Sequence, residues 1–268
     1  MRVLLTGTGA ADGIPGLFSG SRVSEHARLA GGKDVRSRSS AVVDGVLRID
    51  LGPDTLSQVH RFGLKSREWK NILVTHSDDD HFAPSELQYL FPPFTDEGAT
   101  LPAVYGNRAV LDRLSDAFDK AERLTKHLLK SYETVRVGDY EVTPIRAYHK
   151  LDEDSLNLII KEDKTFLYAS DTGVYRDETW EFLQGRRFDA AVIECTDGFN
   201  AAEYLGHLSA QELLDVVARL REMGCLDEES IVCTTHHGHC GMATHSELEE
   251  FLTPHGVQVG YDGKVLDF

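Results

Sequence analysis

The chain has 268 residues, 41% of them hydrophobic, enough for a sizeable core and too many for a disordered segment. Its 44 acidic against 28 basic residues leave a formal charge of −16, a surface that repels nucleic acid and anionic lipid at long range. A small anionic substrate is not excluded, because a few local cations or metal ions can invert the field inside one pocket.

The opening Arg2–Thr6 reads as a short buried strand ended by Gly7-Thr8-Gly9, and its apolar run is too short for a signal peptide or a membrane span. Residues 8–38, rich in Gly, Ser and Arg, read as an extended loop. Ser40–Val43, Asp44-Gly45 and Val46–Ile49 form a hairpin pattern around an Asp-Gly turn, and Pro53 suits the first turn of a helix. Asn71–Val74 is a further strand that runs into Thr75-His76; Ala83–Leu90 and Asn107–Lys130 follow as helical patterns. The second half predicts strands at Tyr140–Ile145, Leu156–Ile160, Thr165–Ala169, Ala190–Ile193, Ile231–Thr234 and Val257–Tyr261. Helices are expected at Asp177–Leu183, Ser209–Met223 and Ser246–Leu252. No linker or short repeat interrupts this layout, so one domain spanning 1–268 is expected, built as two packed sheets flanked by helices. The four cysteines, Cys195, Cys225, Cys233 and Cys240, form no C-x-x-C pair and no secreted disulfide framework; a cytoplasmic location follows as the default.

The sharpest feature is Thr75-His76-Ser77-Asp78-Asp79-Asp80-His81. His76, Asp78, Asp80 and His81 are four potential ligands crowded directly after a buried strand, and imidazole with carboxylate is a divalent-metal donor set. An acidic helix cap would explain one Asp but not a histidine at each end. His149, Asp171 and His236 also follow strand patterns. Taken singly each reads as an ordinary turn or core residue; taken together, ligands at several strand ends are how an α/β scaffold builds a site on one rim.

These residues resemble the metallo-β-lactamase superfamily, whose signature is T-H-x-H-x-D-H followed by a His, an Asp and a final His. The similarity is greatest to the phosphodiesterase branch, which includes ribonuclease Z and the PhnP-type cyclic phosphodiesterase. It extends over Thr6–Gly9, Ile49–Gly52, Leu167–Thr172, Gly206–Ala210 and Val259–Gly263. The resemblance implies an α/β fold, the four-layer αβ/βα sandwich. It implies one metal held by His76, the residue at 78 and His149, a second held by Asp80, His81 and His236, and Asp171 bridging both. A bridging hydroxide would attack phosphorus in line, with the metals about 3.5–4 Å apart. His207 would protonate the leaving oxygen, so His207, Asp80 and Asp171 are the expected catalytic residues. Asp50 would orient a ligand histidine.

The expected activity is therefore hydrolysis of a small phosphodiester, cyclic ones included, by two divalent ions, with nucleic acid and membranes not expected as partners and a homodimer left open. The alternatives are a transfer-RNA 3′-processing endonuclease, a lactone or ester hydrolase on the same scaffold, and a non-catalytic metal-stabilised binding protein.

Three departures from the signature matter. Position 78 is Asp where the signature has His, which favours manganese or iron relative to zinc and leaves all three open, unless Asp78 falls short of the metal. Ser19, Ser21 and Ser24 stand where close relatives often carry cysteines, so no structural zinc is expected, and His26 is an ordinary loop residue. In His236-His237-Gly238-His239-Cys240, only His236 is expected as a ligand; His237 and His239 are either substrate contacts or solvated imidazoles. Lys33, Arg36, Arg38 and Lys150 are candidate phosphate contacts. Phe91-Pro92-Pro93-Phe94 lines either a pocket or a dimer contact.

Overall fold

The computed structural model describes residues 1–96, 98–117, 119–200 and 204–268. Among them, fourteen strands divide into two sheets of seven. The first sheet runs in the order β14 (Val265–Asp267), β1 (Arg2–Gly7), β2 (Ser40–Val43), β3 (Leu47–Ile49), β4 (Asn71–Leu73), β5 (Ala103–Gly106), β6 (Lys126–Leu128). The second runs β13 (Val257–Gln258), β12 (Ile231–Thr235), β11 (Ala190–Glu194), β10 (Thr165–Ala169), β9 (Leu156–Lys161), β8 (Tyr140–Arg146), β7 (Val135–Val137). Both sheets are mixed in the same way. In the first, the pairs from β14 to β3 are antiparallel and those from β3 to β6 parallel. In the second, the pairs from β7 to β10 are antiparallel and those from β10 to β13 parallel.

The central strands are buried on both faces, which is why they read as continuous apolar runs rather than alternating ones. Between the sheets lie Leu5, Val43 and Ile49 from one side and Val142, Leu158 and Tyr168 from the other, all fully buried. The outer face of the second sheet is covered by α4 (Asp177–Leu183), α5 (Ala210–Glu222) and α6 (His245–Leu252), through Trp180, Leu213, Val217 and Leu248. The outer face of the first carries Val110 and Leu114 of α3 (Arg108–Ala117), with Phe82, Leu87 and Phe91. The result is the expected four-layer αβ/βα sandwich.

Several elements differ from the sequence-based expectations. Residues 8–38 are not all loop: α1 (Arg22–Ala30) forms there, its N-terminus capped by the Ser21 side chain accepting from the Ser24 amide. Within the helical pattern over 107–130, α3 covers Arg108–Ala117, while Lys126–Leu128 is strand β6, where pairing with β5 outweighs local propensity. Pro84–Leu90 winds as a tight 3₁₀ turn series. The strands β5, β7 and β14 carry no strong pattern of their own and exist through their neighbours. The helix α2 (Thr55–Phe62) starts two residues after Pro53 and ends on left-handed Gly63. No described helix is long and apolar enough to cross a membrane.

Candidate metal centre

The site is assembled from loops that leave the C-terminal ends of strands. Asp50 follows β3, His76 follows β4, His149 follows β8, Asp171 follows β10 and His236 follows β12. Asp50, Asp171 and His236 have φ of 58°, 49° and 53°, a left-handed conformation that L-residues other than glycine rarely adopt. Such a turn lifts the side chain out of the strand direction and aims it across the sheet ends. Two glycines let the loops meet: a β-carbon on Gly52 would strike the carbonyl oxygen of Asp80, and one on Gly173 that of Leu205.

Six of the seven expected ligands are buried and converge on Asp171. Its Oδ2 lies 3.0 Å from His76 Nε2 and 2.7 Å from His81 Nε2, and its Oδ1 lies 2.8 Å from His236 Nε2. Asp80 Oδ2 is 3.2 Å from His81 Nε2 and 3.4 Å from His236 Nε2. The seventh, Asp78, has a half-exposed side chain; its Oδ2 is 3.5 Å from His76 Nε2 and 3.3 Å from His149 Nε2. Two clusters with metal-ligand spacing share Asp171: Asp80–His81–Asp171–His236 and His76–His149–Asp171.

The donor set fits metal ions. His81 Nε2 and His236 Nε2 face one another at 3.3 Å, a poor arrangement for two N–H groups and a natural one for two lone pairs on a cation. His76 Nε2 and Asp171 Oδ1 are buried, and their close contacts with Asp171 Oδ2 and His236 Nε2 lack hydrogen-bond geometry, a costly state unless a cation takes the lone pairs. The electrostatics agree. Burial acts to lower His236, yet Asp171 and Asp80 lift it to about 10. Burial opposes ionisation of Asp171, and His236 and His81 hold it well below the usual carboxylate range all the same. A group of histidines and carboxylates so strongly coupled is what a divalent cation replaces the protons of.

The surrounding layer fixes the rings. Asp50 Oδ2 is 2.7 Å from His81 Nδ1, and Asp50 accepts from the Thr75 amide and hydroxyl. The fully buried Arg48 donates to the Asp50 carbonyl oxygen, Thr6 Oγ1 and Gln58 Oε1. Burial alone would raise Glu194, at the end of β11, but the His207 ring holds it below the usual range. Glu194 lies 2.8 Å from His207 Nδ1 and accepts from Thr172 N, Leu208 N and Thr196 Oγ1. The Thr196 hydroxyl also lies 2.8 Å from His236 Nδ1. His207 is the third member of a further cluster with Glu194 and His236; burial opposes its protonation, and Glu194 and Asp171 raise it above the ordinary histidine value.

Glu194 escaped the sequence reading. The signal available was a lone carboxylate closing a buried strand, the same placement as Asp50 and Asp171. Glu153, in the loop after β8, is a second carboxylate absent from the expected site residues. It is buried, accepting from Ser77 N, Ser77 Oγ and Asn107 Nδ2.

Other expected residues lie elsewhere. His237 is buried in the core with Nε2 2.9 Å from Thr234 Oγ1, and burial with Arg36 nearby holds it well below the usual histidine range; it is no solvated loop imidazole. His239 pairs with Asp12 and Ser19. Arg36 is buried against Thr8, Gly260 and His245, Lys33 pairs with Glu249, and Arg38 with Asp54. Of the four basic candidates only Lys150 reaches the centre, 2.7 Å from Asp78 Oδ1. Phe91 is core, whereas Phe94 is exposed against Tyr89.

The whole chain superposes on solved structures of low identity. A diphosphatase from the PhnP family matches at 22% identity over 100% of this chain and 98% of its own, TM-score 0.80. Zn²⁺-bound PqqB from Methylobacterium extorquens matches at 17% over 100% of both chains, TM-score 0.77. The short form of human tRNase Z matches at 18% over 100% and 99%, TM-score 0.68. No curated protein matches the sequence. The family model described as the beta-lactamase superfamily domain matches residues 47–243, which include all seven expected ligands and His207, and the chain therefore belongs to the β-lactamase superfamily.

Proposed function

We propose that the protein is a metal-dependent phosphodiesterase that works with two divalent ions and a small phosphodiester substrate. The observation that carries this reading is the pair of clusters sharing Asp171, with His207 beside them on the same rim. His76, Asp78, His149 and Asp171 would hold one ion, and Asp80, His81, His236 and Asp171 the other. Bound there, divalent ions would supply Lewis-acid polarisation of the phosphoryl oxygens and a water of lowered pKa.

The chain's own residues supply the rest. The Asp50–His81 and Thr196–His236 contacts hold Nδ1 of each ring, leaving Nε2 of both directed inward. Glu194 fixes His207 through Nδ1 and favours its protonated form, so its other nitrogen can hand a proton to an alkoxide leaving group. A neutral or carboxylic ester has less need of that acid, which favours phosphodiesters over lactones. A cleft lined by Tyr148, Lys150, Leu151 and Arg176 adjoins Lys150 and would take the organic part of the substrate. Likeness to the PhnP-family diphosphatase and to tRNase Z supports phosphoester chemistry. The charge of −16 favours a small substrate over RNA.

The test is turnover of metal-reconstituted protein on bis-p-nitrophenyl phosphate, alkyl phosphodiesters and a lactone panel, with metal content measured alongside. About two equivalents of manganese, zinc or iron and a preference for phosphodiesters are expected. Lactone turnover alone, or tight RNA binding that weakens steeply with salt, would replace this reading with the ester hydrolase or the endonuclease.

A further inference from the structure

We infer that Lys150 balances the charge of Asp78, making the two candidate metal sites unequal: an inner site that holds its ion firmly and an outer site that exchanges it. This rests on the two-metal reading above. The inner set, Asp80, His81, Asp171 and His236, is buried, and none of the ion pairs formed by its carboxylates involves a lysine or arginine among the described residues. The outer set is different. One oxygen of Asp78 faces His76 and His149, while the other is engaged by Lys150 Nζ at 2.7 Å.

Lys150 is not a swinging surface lysine. Its ammonium also contacts Glu153 Oε2 at 3.0 Å, and its side chain is 27% exposed. Glu153 is in turn clamped by the Ser77 amide and hydroxyl and by Asn107 Nδ2, at the head of α3. Loops after β4, β5 and β8 thus combine to hold one cation against one ligand carboxylate. An ammonium so placed competes for the carboxylate's electron pairs and repels a second cation. Together Asp78 and Lys150 carry no net charge, the same as a neutral imidazole, so the carboxylate brings hard-donor character without tightening the outer site.

The experiment titrates metal-free protein with Mn²⁺ against a chromophoric chelator, reading binding rather than turnover. Wild type should take two equivalents with separated affinities. Lys150→Gln should tighten the weaker class by about tenfold or more and leave the tighter class unchanged. Lys150→Arg, which keeps the charge, should resemble wild type. In an Asp78→His background, Lys150→Gln should tighten the weaker class by less, since only the repulsion between the ammonium and the metal is then removed. The inference is overturned if Lys150→Gln leaves both affinities unchanged, loosens the weaker class, or acts equally in the Asp78→His background. A wild type that binds fewer than two ions instead overturns the two-metal reading, and this inference with it.

Discussion

Asp50, Asp171 and His236 share a backbone conformation that costs each of them on the order of 1–3 kcal/mol. Three strained turns at one rim persist because the surrounding hydrogen bonds determine them, and the function they serve is to bring side chains from separate strands to one point. Asp50 shows how the support is layered, with Arg48 holding its carbonyl while its carboxylate holds His81. Replacing Asp50 by Asn is expected to keep the fold and weaken metal binding about 10–100-fold, measured by chelator competition. His207→Ala should lower kcat on alkyl phosphodiesters by about 10²–10⁴-fold while metal content stays at the wild-type level. Glu194→Gln should lower kcat by less than His207→Ala, since it disturbs the orientation of His207 without removing the ring. Retained activity in His207→Ala would remove that residue from the mechanism.

At the scale of elements, α5 and α6 are secured at their N-termini by caps. Ser209 and Glu212 form a capping box on α5, as Thr244 and Glu247 do on α6. Glu247 has a second partner in Arg22 of α1, which ties the N-terminal segment to α6. Bonding to Arg22 and to the Thr244 cap lowers the Glu247 carboxyl to about 2. A carboxyl whose folded value is depressed adds stability that is complete above its unfolded value, here about 4.5. That contribution fades as pH falls towards about 2, where the folded carboxyl also takes its proton. Glu247→Gln is therefore expected to destabilise more at pH near 7 than at pH near 3, read from denaturant midpoints at the two values. An equal loss at both would assign the effect to packing.

Across the whole molecule, two sheets bury a common apolar layer, and every site residue hangs from the rim of that layer. Leu158, fully buried on β9 between the sheets, measures its worth: Leu158→Ala should cost about 2–5 kcal/mol in unfolding free energy, measured by urea titration. Because β9 pairs with β10, which leads directly to Asp171, the same variant should also loosen metal binding. Unchanged metal affinity in a folded Leu158→Ala protein would show the rim to be independent of the layer beneath it.

What the chain alone determined is what depends on local spacing and on strong burial. The run from His76 to His81, the strand ends at Asp171 and His236, and the apolar runs of β10, β11 and β12 are readable because each lies within a few consecutive residues. Tertiary structure decided what depends on partners far along the chain. Short β5, β7 and β14 form only against their neighbours, and the stretch from Lys126 leaves its helical pattern to pair with β5. Glu153 is indistinguishable from a surface carboxylate until Ser77 and Asn107 close around it. Whether Lys150 meets a phosphate or a carboxylate, and whether Arg36 faces solvent or the core, likewise follows from side chains tens to hundreds of positions away. Local periodicity carries information about which face is buried, but not about which charge a buried face will meet.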